Sequence, residues 1–331
     1  MISSFAISNL LRVGKLTLIP MLIVAPLLFG LAMIGLAIIG LAGEASAQAG
    51  AATEAAIWPA DAAYRAATLA ADLTFPADAE VAAKLTSPRM ALLKPAGEGP
   101  FPAIVIMHQC SGLKEAVVSW AHRMVAQHYA VLLVDSLGPR GVLSVCYGPE
   151  AGVNLFRGAR DALQAAEHLR RQTFVDADRV ALVGFSWGAM VGLLADSLHY
   201  VTALRAGPGF TAVISFYPGC FRIFPPNGRP PFDTVNGDIA HPLLVLMGEA
   251  DTETPASECI EKLERLRNAS APVEWHLYPQ ATHCWDCQQF NGLSKVDIRG
   301  HLVEYRFRQD VTQDSENRLF AFLDRTMLRK N

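Results

Sequence analysis

Gly184-Phe185-Ser186-Trp187-Gly188 lies directly after the apolar run 180–185 and directly before the helix-like run 189–195. A G-x-S-x-G placed between a buried strand and a helix requires a very tight turn. That turn holds the serine in strained backbone geometry with its hydroxyl exposed. The flanking glycines are needed because side chains there would collide with the neighbouring strand and helix. Without the strand and the helix the motif would be a common Gly/Ser turn. With them it names Ser186 as a candidate nucleophile.

The rest of the chain alternates in the way such a turn demands. Apolar runs at 102–108, 130–135, 180–185, 211–217 and 242–248 read as strands, as does the segment 273–278. Helical spacing appears over 116–127, 154–171 and 313–328, the second with apolar residues at 155, 156, 159, 163, 166 and 169. Continuous apolar strands alternating with helices predict an α/β fold: a mostly parallel central sheet with helices on both faces. In such sheets, sites form at the carboxyl ends of the strands.

The partners a serine needs fall at those ends. A serine hydroxyl is a poor nucleophile until a neutral imidazole takes its proton, and a buried carboxylate must hold that imidazole in the right tautomer. Asp251 follows the strand 242–248, within Gly248-Glu249-Ala250-Asp251, and His283 lies five residues past the strand 273–278. Glu249 and Glu253 compete with Asp251, and His301 competes with His283. The order Ser, Asp, His is that of the α/β-hydrolase fold. An oxyanion hole would take one backbone N–H from Trp187, after the nucleophile. The other would come from the loop His108-Gln109-Cys110-Ser111-Gly112, with Cys110 favoured and Gln109 the alternative.

Composition bounds the partners. A formal net charge of -3 over 331 residues leaves no basic footprint for nucleic acid. Arg12 and Lys15 precede an uncharged stretch from 16 to 43, and Ala45-Ser46-Ala47 has the small-residue pattern of a cleavage site. Residues 1–47 therefore read as a signal peptide, with an uncleaved N-terminal anchor as the alternative. Membrane contact is expected only through that segment. An alanine-rich linker is expected over 48–70 and the catalytic domain over 71–331. Either way the domain is expected in the periplasm or outside the cell.

Export permits disulfides among Cys110, Cys146, Cys220, Cys259, Cys284 and Cys287. Six cysteines allow fifteen connectivities. The strand order favours Cys110–Cys146 and Cys220–Cys259, each joining two loops near the catalytic edge. Cys284–Cys287 would then restrain the loop that carries His283. No second C-x-x-C completes a zinc site, so neither a metal nor another cofactor is expected.

Taken together, these segments resemble the dienelactone hydrolase family. The resemblance rests on the oxyanion loop, Asp135-Ser136-Leu137-Gly138-Pro139-Arg140-Gly141, the elbow, Phe216-Tyr217-Pro218-Gly219, Gly248-Glu249-Ala250-Asp251, and Tyr278-Pro279-Gln280-Ala281-Thr282-His283. It covers about 73–328 and implies a hydrolase acting on a small ester or lactone. The departures are informative. Cytoplasmic members use a cysteine where this chain has Ser186, and a glutamate where it has Gln109. They hold a substrate carboxylate with two arginines: Arg140 matches one, but Cys287 stands at the position of the other. The resemblance thus implies an ester or lactone other than dienelactone itself. Gln109, Arg140 and Trp285 are the expected substrate-binding residues, with Arg140 open to a purely bracing role. Acyl transfer or thioester cleavage by the same serine, or a non-catalytic exported binding module, are the competing functions.

Overall fold

A computed structural model describes residues 56–226, 228–239 and 241–327. The expected leader and residues 48–55 of the expected linker lie outside these residues. Among the described residues, no helix is long and apolar enough to cross a membrane.

Seven strands form the central sheet: β1 (Ala91–Leu93), β2 (Phe101–Met107), β3 (Ala130–Val134), β4 (Val175–Phe185), β5 (Val213–Phe216), β8 (Leu243–Gly248) and β9 (Val273–Tyr278). Their order is β1-β3-β2-β4-β5-β8-β9. Only β1 runs antiparallel to its neighbour; every other pairing is parallel. Two short antiparallel ribbons lie outside the sheet: β6 (Arg222–Ile223) with β7 (Phe232–Asp233), and β10 (Ser294–Val296) with β11 (Leu302–Glu304).

The inner strands are apolar where both faces are covered, whereas the edge strand β9 carries Glu274 and His276. Ala103, Val105 and Met107 of β2 point into one core layer, and Ile104 and Ile106 into the other, as the period of two requires. Helices α1 (Ala60–Ala67), α3 (Leu155–Arg170), α4 (Trp187–Ala195), α5 (Leu198–Leu204) and α6 (Ser257–Asn268) supply the first layer. Helices α2 (Glu115–Ala126) and α7 (Gln309–Thr326) supply the second. The expected α3 is sharply bounded because Asn154 caps it, accepting a hydrogen bond from the Arg157 N–H.

Register decides where the site falls. Met107 pairs with Gly184, and Phe185 with Phe216. The strands β2, β4 and β5 therefore end almost level, and the loops that follow them share one edge.

The linker reading of 48–70 is corrected from residue 57 onward. Trp58 is buried, stacks on Phe156 with ring centroids 4.9 Å apart, and donates its backbone N–H to the Tyr200 hydroxyl at 2.8 Å. Ala63, Ala66 and Ala67 of α1 are buried, and Arg157 donates to the Ala67 carbonyl at 2.9 Å. Alanine richness here reflects close helix packing. Side chains that end at Cβ let α1 lie against α3 and α5.

The structure contains three disulfides, Cys110–Cys146, Cys220–Cys259 and Cys284–Cys287. The first two close segments of 36 and 39 residues. By the chain-entropy argument each stabilises the fold by about 3 to 4 kcal/mol.

Candidate active site

Ser186 sits at φ 52°, ψ -111°, between the last residue of β4 and the first of α4. This left-handed backbone is uncommon for a residue with a side chain and marks stored strain. The neighbours make it obligatory. A Cβ on Gly184 would strike the Gly188 carbonyl, and one on Gly188 would strike the carbonyls of Met107 and His108. The Ser186 N–H donates to the Phe216 carbonyl at 2.9 Å, and the Gly188 N–H to the His108 carbonyl at 3.0 Å. The elbow is thus tied to both flanking strands.

His283 Nε2 lies 2.9 Å from Ser186 Oγ, and its Nδ1 lies 2.7 Å from Asp251 Oδ2. All three residues are buried. Asp251 is itself held. The N–H groups of Glu253 and Thr254 donate to its Oδ1 at 2.9 Å each, and the Thr254 hydroxyl donates to Oδ2 at 2.8 Å. These bonds aim the second carboxylate oxygen at the imidazole. Glu249 is exposed and accepts from the Gln280 N–H, away from His283, and His301 is exposed on the β10–β11 ribbon.

The loop after β2 reaches the same place. Cys110 and Ser186 line one cleft of ≈ 280 Å³, together with His283, Gln109, Glu253 and Tyr305. The Cys110–Cys146 bridge and a 2.8 Å bond from the Val145 N–H to the Cys110 carbonyl hold the loop in place. His108 is structural: its Nε2 accepts from the Ser136 N–H at 3.1 Å, and burial pushes its pKa down.

Two expected substrate contacts are corrected. Arg140 forms a bidentate pair with the buried Asp161, at 2.7 and 2.8 Å, and donates to the carbonyls of Ala71 and Ser136. It braces its loop, and every direction of its guanidinium fork is occupied. Trp285 is fully buried against Phe216, Tyr217 and Tyr278 and does not line the cleft. It follows Cys284, where the chain turns back beneath the sheet edge, so its size serves the core. Gln109 does line the cleft, with Nε2 at 3.6 and 3.7 Å from the sulfurs of the Cys284–Cys287 bridge. Cys284, Asp286 and Cys287 come within 4.8 Å of one another, but the bridge leaves neither sulfur as a thiolate ligand.

The cleft holds a second carboxylate that the sequence reading weighed only as a rival to Asp251. Glu253 Oε2 lies 3.7 Å from His283 Nε2. Its other oxygen pairs with Lys295 Nζ at 2.7 Å, and the Tyr305 hydroxyl donates to Oε2 at 2.7 Å. Burial alone would lower the His283 pKa. The charges of Asp251 and Glu253 and the Asp251 hydrogen bond outweigh that effect, so the pKa is raised. Burial likewise works to raise the Glu253 pKa, but His283 and Lys295 bring it below its usual value. Burial and the Glu253 charge raise Tyr305, so it stays a donor. Asp286, raised by burial, accepts from Tyr217 and Trp120 beneath the histidine loop.

The model of the dienelactone hydrolase family matches residues 89–302. The chain belongs to this family, and it is a carboxylic ester hydrolase. A relative from Yersinia pestis, named "Putative carboxymethylenebutenolidase", is 25% identical over 197 residues, covering 57% of this chain and 70% of its own. A relative of the same name from Methylorubrum extorquens is 26% identical and is covered over 65% of its length. Among solved structures, the butyrate-bound esterase Est2 of Thermogutta terrifontis superposes with a TM-score of 0.53 at 14% identity, covering 73% of this chain and 91% of that one. At that identity the likeness concerns the α/β-hydrolase fold alone.

Proposed function

We propose that the protein hydrolyses a carboxylic ester or lactone through an acyl-enzyme on Ser186. The observation that supports this most directly is the continuous relay from Ser186 Oγ to His283 to Asp251, at 2.9 and 2.7 Å. His283 takes the serine proton on Nε2 as Oγ attacks the acyl carbon. Asp251 stabilises the imidazolium through Nδ1–H. The negative charge on the carbonyl oxygen is met by the backbone N–H groups of Cys110 and Trp187, which are fixed before the reaction begins. Collapse breaks the bond to the leaving oxygen, which takes the proton from Nε2. Water then enters and gives a proton to His283 as it attacks the ester carbon; collapse breaks the bond to Ser186 Oγ, which takes that proton back from Nε2, leaving the acid and the free serine.

The substrate differs from a dienelactone carboxylate in this reading. Arg140 is committed to Asp161, and Cys287, where family members place the second arginine, is buried in a disulfide. The six paired cysteines also support export to an oxidising compartment.

Turnover of short-chain aryl esters tests the reading. Ser186→Ala should lower kcat by roughly four to six decades with the fold retained, because triad members act as a unit. Unchanged turnover in that variant would remove Ser186 from the chemistry.

A further inference from the structure

Large apolar side chains face solvent in the two segments that reach the mouth of the cleft. Leu143, Tyr147, Leu293, Val296, Ile298 and Leu302 are each between 54% and 88% exposed. They come from two segments on either side of the opening. Ser144, Cys146 and Tyr147 line the cleft from the loop bridged to Cys110, and Leu293, Ser294 and Lys295 line it from the β10–β11 ribbon. The Tyr147 hydroxyl donates to the Val296 carbonyl at 3.4 Å and joins the two sides. Val296 and Leu302 face each other as a register pair.

The ribbon turns Val296, Ile298 and Leu302 to solvent. An isolated two-stranded ribbon is marginal in water, and this one is pinned from beneath by charge. Lys295 pairs with Glu253, and Arg299 pairs with Glu258 at 2.8 Å while donating to the Glu253 carbonyl. Asp297, buried, accepts from the N–H groups of Arg299 and His301. The Thr252 hydroxyl donates to the Leu302 carbonyl at 2.8 Å. Val296 and Leu302 face solvent, whereas Val303, paired with Lys295, is buried beneath the ribbon. An apolar surface held outward by that many polar restraints marks a binding face.

Its position and charge identify the occupant. Tyr147 and Leu293 of this rim line the cleft that contains Ser186. Lys295 is the cation lining that cleft among the described residues, and Glu253 neutralises it at 2.7 Å. A substrate carboxylate would meet no uncommitted cation there and would face the Glu253 charge. We propose that the rim of Leu143, Tyr147, Leu293, Val296, Ile298 and Leu302 binds the hydrocarbon chain of a single neutral ester whose carbonyl is seated at Ser186. The proposal rests on the ester-hydrolase reading and deepens it by naming the substrate class.

A series of p-nitrophenyl esters, from acetate to decanoate and kept below their solubility limits, tests it. Burial of one side of a chain on the rim should raise kcat/KM by about twofold per added methylene, or on the order of tenfold from butyrate to octanoate. The Val296→Ser/Ile298→Ser double variant should lower the octanoate-to-acetate ratio at least fivefold. These positions are exposed, so the fold should survive. The monoanionic p-nitrophenyl succinate should be a poorer substrate than the butyrate ester. A flat chain-length profile, an unchanged ratio in the double variant, or a preference for the succinate each overturns the proposal. Wild-type inactivity on every ester overturns the ester-hydrolase reading itself, whereas turnover of acetate with a flat profile overturns only the rim.

Discussion

Ser186 and His283 reach the cleft from its floor, and Lys295 and Tyr305 reach it from its wall, on supports of different construction. The floor consists of strand ends. β4 lies inside the parallel sheet and β9 at its edge, and the turns after them are set by contacts with neighbouring segments, such as the Gly188 N–H to the His108 carbonyl and the Glu249 N–H to the Tyr278 carbonyl. The wall is the β10–β11 ribbon, outside the sheet, held by ion pairs to Glu253 and Glu258. A floor built this way resists small changes and transmits large ones to chemistry. A wall built on partly exposed charge pairs, each worth little alone, tunes the site without creating it. Glu253 joins the two, since it contacts both His283 and Lys295.

That contrast breaks if floor and wall variants have similar effects. Asp251→Asn should leave a folded protein whose imidazole is held in the wrong tautomer, at a cost of roughly four decades in kcat. Glu253→Gln should keep most of the activity at neutral pH. If Glu253→Gln is dead and Asp251→Asn is near wild type, the acid of the relay has been misassigned.

The disulfides divide the same way. Cys110→Ser with Cys146→Ser frees the loop proposed to carry an oxyanion donor. It should lower the free energy of unfolding by about 2 to 5 kcal/mol, read by denaturant titration, and lower kcat with it. Removing Cys284–Cys287 closes no long segment and should change unfolding by less. Equal losses for the two bridges would contradict the entropic account.

The smallest expected effect is on the pH profile. Hydrolysis needs neutral His283. Its pKa is raised, so activity should fall as pH drops through that raised value. Glu253→Gln removes one of the two charges that raise it, and the acid limb of kcat/KM should move to lower pH by about one unit or less. An acid limb that stays in place, or moves up, would show that Glu253 does not act on the histidine.

The floor was legible in the sequence because each of its parts is local. The G-x-S-x-G fits its turn only between a strand and a helix, Asp251 falls just past the apolar run of a buried strand, and His283 falls just past the edge strand. Even β9 matches its expected bounds, 273–278. The wall was illegible because its strands are three residues long and its stability comes from residues some forty positions away, such as Glu253 to Lys295. Thr254, which orients Asp251, was hidden within an acidic, threonine-rich run where no spacing distinguishes it. Arg140 and Trp285 were misplaced for a related reason. An arginine and a tryptophan beside a catalytic loop look the same in sequence whether they face the cleft or the core. Only the partners Asp161 and Tyr217 reveal the direction.

The central claim is that Ser186, and no other residue, carries the acyl group. Mass spectrometry of the wild-type protein treated with a fluorophosphonate tests it most directly. A single adduct on the peptide containing Ser186, absent from Ser186→Ala and slowed by several decades in Asp251→Asn, is the expected result. An adduct on another residue, or equal labelling of the Ser186→Ala protein, would contradict it.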